Sequence, residues 1–105
     1  MACYSIVTLD TNVRAAPEEI AEAARAMGLK VLASSINQVD CEGAIFARSG
    51  ADSPWIASSA AGFDEGRFRR EVARAKALAE ARRQGCRVIR EERQGDRIMI
   101  RLQVR

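Results

Sequence analysis

From Arg97 to Arg105 the chain alternates without a break. Ile98, Ile100, Leu102 and Val104 fall on one side of an extended backbone, and Arg97, Met99, Arg101, Gln103 and Arg105 fall on the other. Alternation of period two belongs to a strand with one buried and one wetter face, so this end of the chain is committed to a sheet. Glu92-Arg93-Gln94-Gly95-Asp96 supplies a turn before it, Gly95 being able to take a positive φ. Arg87–Glu92 and Arg97–Val104 are therefore predicted to pair as an antiparallel hairpin. Upstream, Phe68, Val72, Ala75 and Ala79 recur at spacings of four, three and four, with Leu78 beside them, which makes one apolar stripe on a helix. Asp64 is placed to cap that helix, Phe63 to staple onto Phe68, and Gly85 to stop it. The stripe is expected to pack on the apolar face of the sheet.

The front of the chain reads as a strand, a helix and further strands. Tyr4–Leu9 is a β-branched, apolar run ended by Asp10-Thr11-Asn12. Pro17 sits where a first helical residue belongs, Glu18 and Glu19 favour the positive end of the helix dipole, and Gly28 closes the element. Ile20, Ala23, Ala24 and Met27 form its stripe, and the small alanines imply close approach to the sheet. Leu29–Ala33, running on toward Val39, makes the second strand. Asp40-Cys41-Glu42-Gly43 is predicted to turn into Ala44–Arg48, and a right-handed βαβ crossover is the expected connection. After the turn cluster Ser49-Gly50-Ala51-Asp52-Ser53-Pro54, Trp55–Ser58 is placed as a short edge strand, a position that tolerates Pro54.

Assembled, the 105 residues predict a single α+β domain. Its form is a ferredoxin-like split βαβ sandwich, an antiparallel-rich sheet with two helices on one face and an extra C-terminal hairpin strand. The other sheet face is left for water or a partner, and function is expected there. The order of elements and the residues Glu71–Leu102 carry a resemblance. In them a helix with Ala and Lys runs into Gln84-Gly85-Cys86-Arg87-Val88, then Glu91-Glu92, then Gly95-Asp96-Arg97-Ile98. Ser5–Thr8 and Met27-Gly28-Leu29-Lys30-Val31 add to it at the front. In these the chain resembles a family of small domains of unknown function found in plastid-encoded and cyanobacterial reading frames and elsewhere in bacteria. The likeness covers both ends of the chain and hardly the middle, where the family is longer and richer in aromatics and this chain has only Phe46 and Trp55. It implies the fold and lends no catalytic residue.

Composition narrows the function classes. No apolar run approaches the roughly 20 residues of a membrane span, and the first nine residues lack a basic start, so cytoplasm is the expected compartment. Cys3, Cys41 and Cys86 are an odd number with no CxxC pair, which suits neither a disulfide framework nor a zinc site. His is absent, and with it the commonest general base and metal ligand. Cys86 follows the negative end of a helix and Cys41 lies between Asp40 and Glu42, both wrong fields for an activated thiol. Asp64 and Glu65 are explained as cap and first-turn acids. Their charge also opposes a phosphate site at Ser58-Ser59-Ala60-Ala61-Gly62. No enzyme activity, metal or cofactor is expected.

Charge is divided unevenly. Residues 66–105 hold 13 Lys/Arg against 5 Asp/Glu, whereas residues 1–65 hold 4 against 9. A basic C-terminal part attracts an acidic protein, a nucleic acid or the acidic part of another copy. The favoured expectation is protein binding, including a homodimer through the sheet edge, with Arg97, Met99, Arg101 and Arg105 as a stripe on the last strand and Trp55 as an exposed anchor. The alternative is electrostatic RNA or DNA binding through Arg87, Arg90, Arg97 and Arg101. Tyr4 and Phe46 are its only candidates for base stacking, and Gly43–Arg48 departs from the usual RNA-binding strand pattern.

Overall fold

The computed structural model describes residues 6–59 and 62–104. Among them lie β1 (Val7–Asp10), α1 (Pro17–Ala26), β2 (Val31–Ser35), β3 (Gln38–Cys41), β4 (Ala44–Ala47), β5 (Ile56–Ser59), α2 (Glu65–Arg83), β6 (Arg87–Gln94) and β7 (Arg97–Gln103). The class is α+β. Five strands form an antiparallel sheet in the order β1-β5-β4-β3-β2, and β6 and β7 form a separate antiparallel pair. β1 and β2 run parallel at opposite edges, so the βαβ unit around α1 is split by three strands.

The register explains which face is covered. Leu9, Ala57, Phe46 and Val39 lie in one row across the sheet, and Ser59, Ala44 and Cys41 in the next. These residues point to the helices, and all but Leu9 are buried. From α1 the row receives Ile20, Ala23 and Ala24, whose small side chains let the helix backbone come close. From α2 it receives Phe68 and Val72. Phe46 stacks on Phe68 with ring centroids 5.0 Å apart, and Phe63 lies 5.5 Å from Phe68, completing the predicted staple. Asp64 caps α2 by accepting from the Arg67 N–H at 3.0 Å, and Gly85 ends it at φ +73°.

Four features depart from the sequence reading. The stretch from Leu29 toward Val39 is not one strand. It folds back at Ile36-Asn37 into β2 and β3, so Asp40 and Cys41 are strand residues and the turn is Glu42-Gly43 alone. Neither Ile36 nor Asn37 takes a positive φ, and the turn is held from outside, by Arg48, whose guanidinium donates to the Ile36 carbonyl at 2.8 Å and to Asn37 Oδ1 at 3.2 Å. Second, β5 is interior, flanked by β1 and β4, so Trp55 leads into a central strand rather than an edge. Third, Trp55 is fully buried, which removes it as an exposed anchor. Its indole N–H donates to the Ala15 carbonyl at 2.9 Å and Arg48 lies over its ring at 4.7 Å. Fourth, the α2 stripe packs on α1 and the five-stranded sheet, not on the final hairpin. The hairpin takes a different side of α2. Tyr4 and Cys3 lie outside the described residues.

Candidate interaction surface

The hairpin is fastened to α2 by charge. Arg93 of β6 makes a bidentate contact with Glu71, and Arg74 of α2 makes one with Glu91 of β6. Arg74 also reaches Glu22 of α1 at 3.7 Å, so one guanidinium joins both helices to the hairpin. Glu71 is only 2% exposed. Hydrogen bonds from Arg93 hold its carboxyl below the usual carboxylate range, against the pull of burial, which works to raise it. Arg74 does the same for Glu91. Apolar contact at this junction is thin: Ile98 and Ile100 line a shallow depression with Arg70, Ala73, Arg74 and Ala77.

The two faces of the hairpin follow from its register. On the inner face Val88 pairs with Leu102, Glu91 with Ile100 and Arg93 with Ile98. On the outer face Arg87 pairs with Gln103, Arg90 with Arg101, Glu92 with Met99 and Gln94 with Arg97. A bulge between Val88 and Arg90 interrupts β6, whereas β7 is regular. Beyond the reach of α2 the inner face stays open: Leu102 is 41% exposed and Val104 77%, and Val88 is exposed as well, as is Ile89 at the bulge. On the outer face Met99 is 55% exposed, with Arg97 and Arg101 on either side of it along β7.

Of the residues singled out in the sequence, Arg97, Met99 and Arg101 come together on this outer face, and Arg87 and Arg90 lie across from them on β6. Arg90 is paired with Glu92, and Arg87 donates to the Gln103 side chain at 3.0 Å. Arg97 and Arg101 have no ion-pair partner among the described residues. Arg105 lies outside the described residues. Phe46 is buried under the helices, which removes it from any base-stacking role.

Sequence reasoning missed Glu71 and Arg48. A signal for Glu71 exists: a carboxylate three residues after Phe68 and next to Val72, inside an apolar stripe, demands a cation that can reach it. Arg48 gave none, because its partners are carbonyls of Ala15, Ile36 and Ala51.

Of the candidate catalytic groups among the described residues, three have structural surroundings that account for them, and Cys86 is a free, half-buried thiol. Asp64 is a cap and Glu65 pairs with Arg69. Cys41 is buried in β3, and burial, helped by Asp40, raises its thiol pKa. Among the described residues no helix is long and apolar enough to cross a membrane, and no cluster of three or more His, Cys, Asp or Glu is placed to hold a metal ion. Comparison of the chain with family models, with curated proteins and with solved structures gave no match.

Proposed function

We propose that this chain is a non-enzymatic α+β module that acts by binding another protein, with the C-terminal hairpin as its docking element. One observation carries this reading: β6 and β7 stand apart as a two-stranded sheet. Two strands alone are marginal in water, and a third strand or an apolar cover is what stabilises them. Here α2 covers only part of the inner face, and Val88, Ile89, Leu102 and Val104 are left to water. An unpaired strand edge beside such a row accepts a partner's strand through main-chain hydrogen bonds. An accessory subunit and a self-associating unit use the same edge. Membership of the plastid, cyanobacterial and bacterial family belongs to the same proposal, since Glu71–Leu102 is this helix and hairpin.

The test is capture on the immobilised full chain from the cells it comes from, at low and at physiological salt. Backbone pairing and apolar contact respond weakly to salt, so a protein retained at fixed stoichiometry at both salts, and lost on Leu102→Asp, is the expected result. Retention of nucleic acid alone overturns the reading.

A second reading is favoured by a different observation: Arg90, paired with Glu92, directly opposes Arg101 across the hairpin, and Arg101 and Arg97 have no ion-pair partner among the described residues. Like charges held opposite each other are destabilising, and Glu92 answers only Arg90, which leaves Arg97 and Arg101 to attract an anion. Phosphates of RNA or DNA would supply it, without base selection. Fluorescence anisotropy with labelled single- and double-stranded RNA and DNA decides it. Binding that falls steeply with salt and is lost on changing Arg97 and Arg101 to Glu supports this reading, and no binding at low salt removes it.

A further inference from the structure

We infer that the strand seated on β7 is β7 of a second copy of this chain, laid antiparallel about a two-fold axis through Ile100. The inference rests on the docking reading above and names its occupant. β6 is a poor edge for a symmetric partner, because its bulge breaks the spacing of backbone groups. In the five-stranded sheet, β2 is an edge with a similar irregularity between Val31 and Ala33, and β1 has only four residues. β7 is regular over seven residues, Arg97 to Gln103.

The register follows from two independent requirements. A two-fold axis perpendicular to the sheet keeps each residue on its own face, so inner residues must oppose inner ones. Overlap of all seven residues then requires Ile100 to face Ile100 of the second copy. In that register Ile98 meets Leu102 of the second copy on the inner face, and on the outer face Met99 meets Arg101 and Arg97 meets Gln103. No Arg opposes an Arg. Moving the axis one residue toward the turn, to Met99, sets Arg97 against Arg101. Moving it one residue the other way sets Arg101 against itself. The register of fullest overlap is also the one that avoids like charges, which cost stability when directly opposed. The product is a four-stranded sheet, β6-β7-β7-β6, in which the exposed Leu102 of each copy lies beside Ile98 of the other.

Met99 supplies the test. Across the two-fold axis it faces Arg101 of the second copy, so Met99→Arg sets two like-charge pairs between copies and Met99→Glu two opposite-charge pairs. Sedimentation equilibrium of the full chain should show a dimer that Met99→Arg weakens on the order of tenfold and Met99→Glu tightens by a similar factor, each through two symmetric contacts. Circular dichroism of both variants should show the spectrum of the parent chain, so that a change in association is not a failure to fold. A chain that stays monomeric at high micromolar concentration overturns the second-copy inference, and if capture still retains a different protein the docking reading stands. A dimer whose affinity ignores both substitutions, or that Met99→Arg tightens, overturns the register.

Discussion

Glu71 and Arg93 meet at the junction of α2 and β6 as a two-pronged pair, with Arg93 Nη1 donating to Oε1 and Nη2 to Oε2, the latter at 3.1 Å. The burial of the two is unequal: the Glu71 side chain is 2% exposed and that of Arg93 48%. Removing the arginine strands a buried carboxylate, whereas neutralising the glutamate leaves a guanidinium that water already reaches. Arg93→Met should therefore cost about 2 kcal/mol in urea unfolding and Glu71→Gln roughly half that. Equal losses would mean that the pair is solvated and that burial plays no part.

The same carboxyl, with that of Glu91, sets how the hairpin responds to acid. Both have pKa values lowered in the folded chain, Glu71 by its bonds from Arg93 and Glu91 by those from Arg74. A lowered folded pKa means that the unfolded chain takes up protons first as pH falls. Their stabilisation is complete above the usual carboxylate range and is lost below about pH 5, as pH falls through the folded values. The protection of the β7 amides, measured against the intrinsic exchange rate at each pH, should fall on acidification before that of β3 and β4, which depend on neither pair. Loss of protection in β7 and β4 at one common pH would show that the hairpin and the five-stranded sheet open as a unit.

Much of the C-terminal third was legible in the sequence because each of its signals is local. The alternation of β7, Gly95 in the turn, the Asp64 cap and the Phe63–Phe68 staple act within a few residues of one another. What failed was nonlocal. The β2–β3 turn has no glycine, and its geometry depends on Arg48, eleven residues beyond Asn37. Trp55 follows Pro54 in a polar stretch that reads as surface, yet it is buried because Ala15 and Arg48 take its N–H and its ring. The hairpin looked like an extension of the main sheet because alternation shows only that one face is apolar. It does not say which neighbour covers that face.

Arg48 is the clearest case of a single side chain holding distant segments. It donates to the carbonyls of Ala15 at 2.9 Å, Ile36 at 2.8 Å and Ala51 at 3.2 Å, and to the Asn37 side chain at 3.2 Å. A lysine carries the same charge with one compact head and cannot span these acceptors. Arg48→Lys should lose about 2 kcal/mol in chemical denaturation, with the amides of β2 and β3 losing protection first, because their turn loses its outside support. Retention of full stability would show that the guanidinium bonds are replaced by water without cost.

Cys41 gives a chemical reading of whether the sheet opens independently of the hairpin. The residue is 5% exposed and lies where β3 pairs with both Val31 and Ala44. Burial first, and the nearby Asp40 second, raise the pKa of its thiol, with Arg25 opposing them, so little thiolate is present near neutral pH. In a chain carrying Cys3→Ser, an aromatic disulfide reagent at pH 8 should modify the half-buried Cys86 quickly, and Cys41 only as fast as the sheet opens. Adding Arg93→Met loosens the hairpin from α2 but leaves Val39, Phe46 and Ala57 packed under the helices. The rate at Cys41 should then be unchanged while β7 amides exchange faster. If the Cys41 rate rises with Arg93→Met, the Glu71–Arg93 pair supports the five-stranded sheet as well, through α2.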